Sequence, residues 1–177
     1  MFPSSIRGRR PVPLHTKTIA SPVGALTLVA GDRGLAAVLW ENDRPSRVRL
    51  GPLHAASDHP ILVETEYQLA DYFAGRRTRF TVALQTAGTD FQKQVWAALR
   101  AIPFGETRSY GEIARHIGRP GASRAVGAAN GRNPVSIITP CHRVVGANGS
   151  LTGFAGGLKA KQFLLALEQG QACAGLE

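Results

Sequence analysis

In the stretch ITPCHRVVGANGS a cysteine, Cys141, stands between Pro140 and His142, with Arg143 next. The thiolate, not the thiol, is the nucleophile, so a reactive cysteine needs a neighbour that lowers its pKa or takes its proton. His142 can be that base, directly or through a water, and the local positive charge favours the thiolate. Pro140 stiffens the backbone just before the cysteine, which suits a side chain aimed into a pocket. The same residues also fit a small buried hydrophobe, the usual state of a lone cysteine. Glu168 supplies a carboxylate in the last turn of a predicted helix, where it opposes the macrodipole by about 0.3–1 kcal/mol. A tertiary partner would offset that misfit. An imidazole in need of orientation is one such partner, and simple exposure to solvent is the other reading.

Other uses of the thiol are weaker. With only Cys141 and Cys173 the chain has no disulfide scaffold, and both thiols are expected to be reduced. A zinc site needs about four well-spaced ligands. There is no CxxC, and His54 and His59 fall in a loop-like segment without partners, so no metal site is expected.

The chain must then provide elements that hold this chemistry. Its 177 residues suit one compact domain or two small ones sharing an interface, and 44% hydrophobic residues are enough for a core. No apolar run approaches the roughly 20 residues of a membrane span. Residues 1–14 read as a disordered basic lead without the apolar region of a signal peptide. HTKTIASPVGALTLVAGDRGLAAVLWE predicts three short strands with turns at SPVG and GDRG. RPSRVRLGPLHAA reads as a polar loop. Asp58 is expected to cap a helix with Pro60 in its first turn, with Leu62, Leu69, Tyr72 and Phe73 on its inner face and Gly75 at its end. RFTVAL alternates Phe80, Val82 and Leu84 and predicts a further strand. Nothing in this half, residues 15–85, suggests chemistry.

From residue 86 the pattern changes. Thr89 or Asp90 caps a helix running to about Arg100. Two short helices follow, in SYGEIARHIG and GASRAVGAANG. Tyr110, Ile113, Ala114 and Ile117 stripe the first, and Ala122, Ala125, Val126 and Ala129 the second. That is the pattern of a helix-turn-helix or of an ordinary helical hairpin. The formal net charge is +9, and from Arg100 to Arg143 there are seven arginines, no lysine and two acids, Glu106 and Glu112. The charge alone fits a polyanionic partner, nucleic acid or an anionic surface, as well as a merely basic soluble protein; arginine forks suit phosphates and base edges, which shifts the balance toward nucleic acid. The second helix is lined with small residues and could lie in a narrow groove, with Arg124 inserted into a duplex; tight helix packing with Arg124 in solvent is the alternative. VSIITP predicts a buried strand, RVVGANGSLTG a hairpin turning at Asn148-Gly149, and residues 158–168 a last helix.

The block FQKQVWAALRAIPFGETRSYGEIARHIGRPGASRAVGAANGRNPVSIITPCHRVVGANGSLTGFAGG, with KAKQFLLALE after it, closely resembles the O6-alkylguanine-DNA alkyltransferases, over residues 89–168. SPVG and the approach to GTDFQ fit that family's first half more loosely. The resemblance implies that Cys141 accepts the alkyl group, that His142 draws its proton through a water, and that Glu168 orients the imidazole. It implies that Asn133 organises this network and that Tyr110 donates a proton to the departing guanine. Arg124 would occupy the place of the flipped nucleotide, at the head of a helix whose Ala122, Gly127 and Ala128 face the DNA. Gln92, Ser109, Gly111, Arg119 and Ala147 fall where members touch the DNA backbone. Val144, Phe154, Ala155, Gly156 and Lys161 would line or support the base pocket. Members commonly carry Tyr and Ser at the positions of Phe154 and Ala155, so two hydroxyls are missing here. Some members hold zinc with N-terminal Cys and His, but no cysteine precedes Cys141.

The expectation is therefore an α+β protein. A small RNase H-like sheet-plus-helix domain, residues 15–85, precedes a winged-helix-like domain, residues 86–170, and a tail, residues 171–177. Its activity would be single-turnover reversal of O6-alkylguanine, and less readily O4-alkylthymine, in duplex DNA. The duplex would be bound through its minor groove, and no cofactor would be needed. A monomer able to cluster on DNA is expected, cytoplasmic, or nuclear in a eukaryote. The rivals are a lesion-binding protein without transfer, a cysteine hydrolase and a transcription factor. Cys141 argues against the first, and the scarcity of base-reading Asn and Gln against the last.

Overall fold

The structure, a computed structural model, describes residues 11–171. Most of the expected basic lead, Cys173 and nearly all of the tail lie outside the described residues. Four strands form one sheet: β1 (Leu14–Ile19), β2 (Leu26–Gly31), β3 (Gly34–Trp40) and β4 (Leu53–Ala55), in the order β3-β2-β1-β4. The first three are an antiparallel meander, and β4 adds in parallel to β1 with His15 opposite His54. The sequence reading missed β4. It is three residues long and exposed throughout, so it shows no alternation to detect.

Helix α1 (Pro60–Phe73) covers the sheet. His59, not Asp58, is its N-cap, and it makes no side-chain capping bond; Pro60 opens the helix because its missing N–H is not needed there. Leu62, Leu69 and Tyr72 are buried, and Phe73 packs at the core margin. Residues 79–84 are not the predicted strand. Phe80, Val82 and Leu84 do turn inward, but pairing is limited to a Leu35–Leu84 bridge, with Leu35 N–H donating to the Ala83 carbonyl at 2.8 Å. The approach is close: a Cβ on Gly34 would lie 2.7 Å from the Ala83 carbonyl oxygen.

Helix α2 (Asp90–Arg100) begins with a capping box in which Thr89 and Gln92 satisfy each other's backbone N–H groups, worth about 1 kcal/mol. Strand β5 (Arg108–Ser109) leads into α3 (Tyr110–His116), capped reciprocally by Ser109 and Glu112. Helix α4 (Ser123–Gly131) follows. Val126 and Ala129 are buried on it, whereas Ala125, expected in the stripe, is exposed. Residues 135–140 are buried but do not form the predicted strand. Asn133 Nδ2 donates to the Thr139 carbonyl at 2.8 Å, and its Oδ1 accepts the Val135 N–H at 3.1 Å, which curls the segment into a loop. Ile137 at its apex has φ of 73°, a left-handed conformation costing a β-branched residue about 1–3 kcal/mol. Its side chain is buried, which holds it there.

A 3-10 turn, Cys141–Arg143, enters β6 (Val144–Val145), and α5 (Leu158–Glu168) ends the fold. Strand β6 pairs in parallel with β5 and not across the Asn148-Gly149 turn, so the predicted hairpin is a loop beyond a short strand. Two cores result. One joins the sheet and α1 to Val135, Ile137, Ile138 and α5; the other joins α2, α3 and α4 to Cys141 and Val144. Fully buried Leu26, Leu28, Leu35, Leu62, Leu69 and Leu164 each contribute about 1.5–3 kcal/mol. Phe154 packs against both cores. No helix among the described residues is long and apolar enough to cross a membrane.

Candidate active site

The loop stapled by Asn133 delivers Cys141 into the second core, where 3% of the residue's surface remains exposed. The sequence reading expected local positive charge to ionise this thiol. Burial instead pushes its pKa up, and a hydrogen bond from Asn133 and the charges of Arg47 and Lys161 oppose that only in part. Cys141 therefore rests as a thiol and needs a base.

His142 is fully buried beside it. Burial lowers its pKa, although the Glu168 carboxylate pulls the other way, so the imidazole is neutral. Its Nε2 lies 2.7 Å from Glu168 Oε1. Burial alone would raise the Glu168 carboxyl, but hydrogen bonds from His142 and Arg143 hold it well below the usual carboxylate range. A carboxylate only accepts, so Nε2 carries the ring proton and Nδ1 carries the lone pair. That Nδ1 is buried and has no hydrogen-bond partner among the described residues. An unsatisfied acceptor inside a protein needs a reason. Here it is the basic atom, one residue from the thiol.

Glu168 is held on every side. Its Oε1 also accepts from the Tyr72 hydroxyl at 2.7 Å and from Arg143 Nη2 at 2.9 Å. Its Oε2 accepts from Arg143 Nε at 2.8 Å and from the Gly105 N–H at 3.3 Å. Burial, then the neighbouring carboxylate, raises the Tyr72 pKa well above normal, so the phenol stays a donor. Sequence reasoning missed Tyr72 and Gly105 and took Arg143 only as a nearby cation. Tyr72 obeys the helical apolar pattern, and nothing local shows that its hydroxyl aims at a residue 96 positions away. Arg47 was missed too. It pairs with Asp43, donates to the Asn133 carbonyl, and donates to the Val38 carbonyl at 3.0 Å, tying the acceptor loop to the sheet.

Lys161 is buried, and its Nζ donates to the carbonyls of Val144 at 2.6 Å and Thr152 at 3.2 Å. It braces the strand after the cysteine against the loop that follows. Val144 is likewise wholly buried. Phe154 and Ala155 line an open concavity of about 500 Å³ with Arg44, Arg47 and Arg132. The Phe154 ring meets Trp40 edge-on at 5.3 Å. At Gly156 a Cβ would sit 2.7 Å from the Trp40 ring, so only glycine fits.

Tyr110 is half-buried at the head of α3, its hydroxyl 2.6 Å from Thr152 Oγ1. The ring lies against α4 at Gly127, where a Cβ would make ordinary contact with it at 3.7 Å. Ser109, Tyr110, Gly111 and Ala147 share a second concavity of about 610 Å³ with Arg115 and Ser123. Arg124 is exposed on the first turn of α4 and makes no hydrogen bond or ion pair among the described residues. Ala128 beside it is exposed, and Ala122 is half-buried. Arg119 lies over the Phe91 ring at 5.6 Å, and the Gln92 side-chain oxygen is engaged in its cap.

Comparison with known proteins matches both halves. Residues 14–86 fit the 6-O-methylguanine DNA methyltransferase ribonuclease-like domain, and residues 90–170 fit the DNA binding domain of the same name. The methylated-DNA–protein-cysteine methyltransferase of Mycobacterium tuberculosis is 51% identical over 165 residues, covering 92% of this chain and 97% of that one. That of Salmonella typhimurium is 47% identical over 160 residues, covering 86% and 94%. A crystal structure of Mycobacterium tuberculosis OGT in complex with DNA superposes with a TM-score of 0.82 at 49% identity, covering 91% of this chain and 96% of that one.

Proposed function

The chain belongs to the 6-O-methylguanine DNA methyltransferase family, and from that premise we propose how its own residues carry out the reaction. The protein binds DNA and repairs it by direct reversal, moving the alkyl group of O6-alkylguanine onto a cysteine of its own. The acceptor is Cys141. A water relays the thiol proton to His142 Nδ1, which is buried without a hydrogen-bond partner among the described residues, and Glu168 stabilises the imidazolium as it forms. The sulfur then attacks the alkyl carbon, a C–S bond forms, and the C–O6 bond breaks. Guanine leaves with the electron pair and takes a proton from the Tyr110 hydroxyl, itself hydrogen-bonded to Thr152. The thioether has no exchange route back to thiol, so each molecule turns over once and needs no cofactor.

A base inside the duplex cannot reach a cysteine that is 3% exposed, so the nucleotide is flipped out, at a cost of a few kcal/mol. Arg124, exposed and without a partner among the described residues on a helix of small side chains, enters the vacated stack from the minor groove. Ser109, Gly111 and Ala147, gathered in one concavity, take the backbone beside Tyr110. Arg119 and Gln92 add outer contacts. Phe154, Ala155 and Gly156 border the space for the base, with Lys161 and Val144 as its frame. The missing hydroxyls at 154 and 155 leave the Ala155 N–H as the donor toward O6.

The observation that carries this reading is the buried His142–Glu168 pair, with an Nδ1 that has no partner among the described residues, on the residue that follows Cys141. The test is mass mapping after incubation with a duplex containing O6-methylguanine. The Cys141 peptide should gain one methylene, and repaired guanine should never exceed protein. Repair in excess of protein, or lesion loss with Cys141 unmodified, would sink it.

A further inference from the structure

The sheet domain carries a second cluster of chemistry-bearing side chains that plays no part in alkyl transfer. His15 lies on β1, Asp32 at the tip of the β2–β3 turn, and His59 at the residue before α1. One ring nitrogen of each histidine and a carboxylate oxygen of Asp32 lie within 4.8 Å of one another. The two imidazoles stack at 4.8 Å between centroids with 27° between planes. The Nδ1 atoms of both are buried and lack a hydrogen-bond partner among the described residues. His54, opposite His15 in the parallel β1–β4 pairing, is exposed with its ring 6.5 Å from that of His15.

We propose that His15, Asp32 and His59 bind a divalent transition-metal ion of the zinc type, with His54 or water completing the shell. Two imidazoles and a carboxylate are the donor set such ions accept without a thiolate. Tetrahedral bonds of about 2.0–2.1 Å put donor atoms about 3.3 Å apart. The ligand atoms must therefore close by up to about 1.5 Å. The exposed Asp32 side chain and the extended backbone at His59 can supply that movement. Both orphaned nitrogens belong to the proposed ligands, which a mere packing of two rings leaves unexplained. The ion would clip together three segments that are remote in sequence: β1, the β2–β3 turn and the start of α1. The site is structural and is independent of the transfer chemistry.

The test uses the full chain carrying Cys141→Ser and Cys173→Ser, so that no thiolate can bind the ion. After treatment with a chelator it is titrated with Zn²⁺ by calorimetry and with Co²⁺ by visible absorption. One ion per chain is expected, with the strong visible bands of four-coordinate Co²⁺ and a rise in Tm of about 5 °C or more at saturating zinc, reversed by chelator. His59→Gln and Asp32→Asn should each weaken binding at least tenfold. Asp32 is exposed at a turn, so Asp32→Asn keeps the result decisive even where His59→Gln fails to fold. No binding, or equal binding in the parent and in Asp32→Asn, would overturn the site.

Discussion

Replacing Glu168 by glutamine tests the centre of the site, because it keeps the shape and removes the charge. In the folded protein Glu168 accepts five hydrogen bonds: three on Oε1, from His142, Tyr72 and Arg143, and two on Oε2, from Arg143 and Gly105. All five partners are donors. A glutamine must turn its NH₂ toward one of the two sets. The cheaper choice faces Arg143 Nε and the Gly105 N–H, losing both bonds and leaving a buried guanidinium without its counter-charge. Breaking a buried pair in this way costs about 3–5 kcal/mol, a large part of the roughly 5–15 kcal/mol that holds a domain folded. For a chain of this length that lowers Tm by about 6–20 °C. The kinetic effect is separate. His142 keeps one acceptor but loses the negative charge that stabilises its protonated form, so single-turnover transfer at saturating DNA should fall by about 10²-fold or more. Urea unfolding, calorimetry and quenched-flow transfer measure the two effects. Tyr72→Phe is the companion variant. It removes one bond to the carboxylate, should cost about 1.5–3 kcal/mol, and leaves the His142 contact intact. A folded Glu168→Gln protein that transfers within twofold of the parent would refute the assignment of Glu168 as the group that acts on His142.

Stability should fall as pH drops. The folded pKa of Glu168 lies below its unfolded value of about 4.3, so its contribution is complete above that pH and is lost in acid. His142 also has a lowered pKa, so the unfolded imidazole takes up a proton first and stability declines from about pH 6.5 downward. A urea midpoint that stays level from about pH 7.5 to pH 5 contradicts the His142 assignment, and one that stays level from about pH 5 into strong acid contradicts that of Glu168. Arg124→Ala should slow repair of duplex DNA by at least tenfold more than reaction with free O6-benzylguanine base; equal losses in the two assays remove its role in extrusion. Thr152→Val takes away the partner of the Tyr110 hydroxyl and should slow transfer several-fold while leaving duplex affinity unchanged. A loss of affinity without a change in rate would place Thr152 in binding instead.

The parts that the sequence revealed are those whose signals are local. The meander of β1 to β3, the cap at Thr89, Pro60 at the head of its helix, the helix pair and the last helix follow from turn residues, periodicity and capping chemistry. Glu168 stood out because a carboxylate in a last helical turn asks for a partner, and the partner is His142. What stayed hidden depends on distance along the chain. Tyr72 fits an apolar stripe equally well with or without a hydroxyl that meets Glu168. His15 and His59 look isolated until strand pairing and the start of α1 bring them together. Residues 79–84 and 135–140 carry strand-like patterns because they are inward-facing or buried. Whether such a segment joins a ladder depends on what runs beside it, and the Asn133 side chain competes for the backbone groups of the second. The state of the thiol was misread because neighbouring charge is visible in a sequence and burial is not.

The first core takes Val135, Ile137, Ile138, Ala160, Phe163 and Leu164 from the second half of the chain to cover an apolar surface belonging to the first half. Severing the chain in the exposed stretch 87–89 would leave each fragment with a bare, matching face, and would part Tyr72 from Glu168. The fragments would be inert separately and competent once rejoined. DNA repair could then be made conditional on whatever recruits the two pieces to one place.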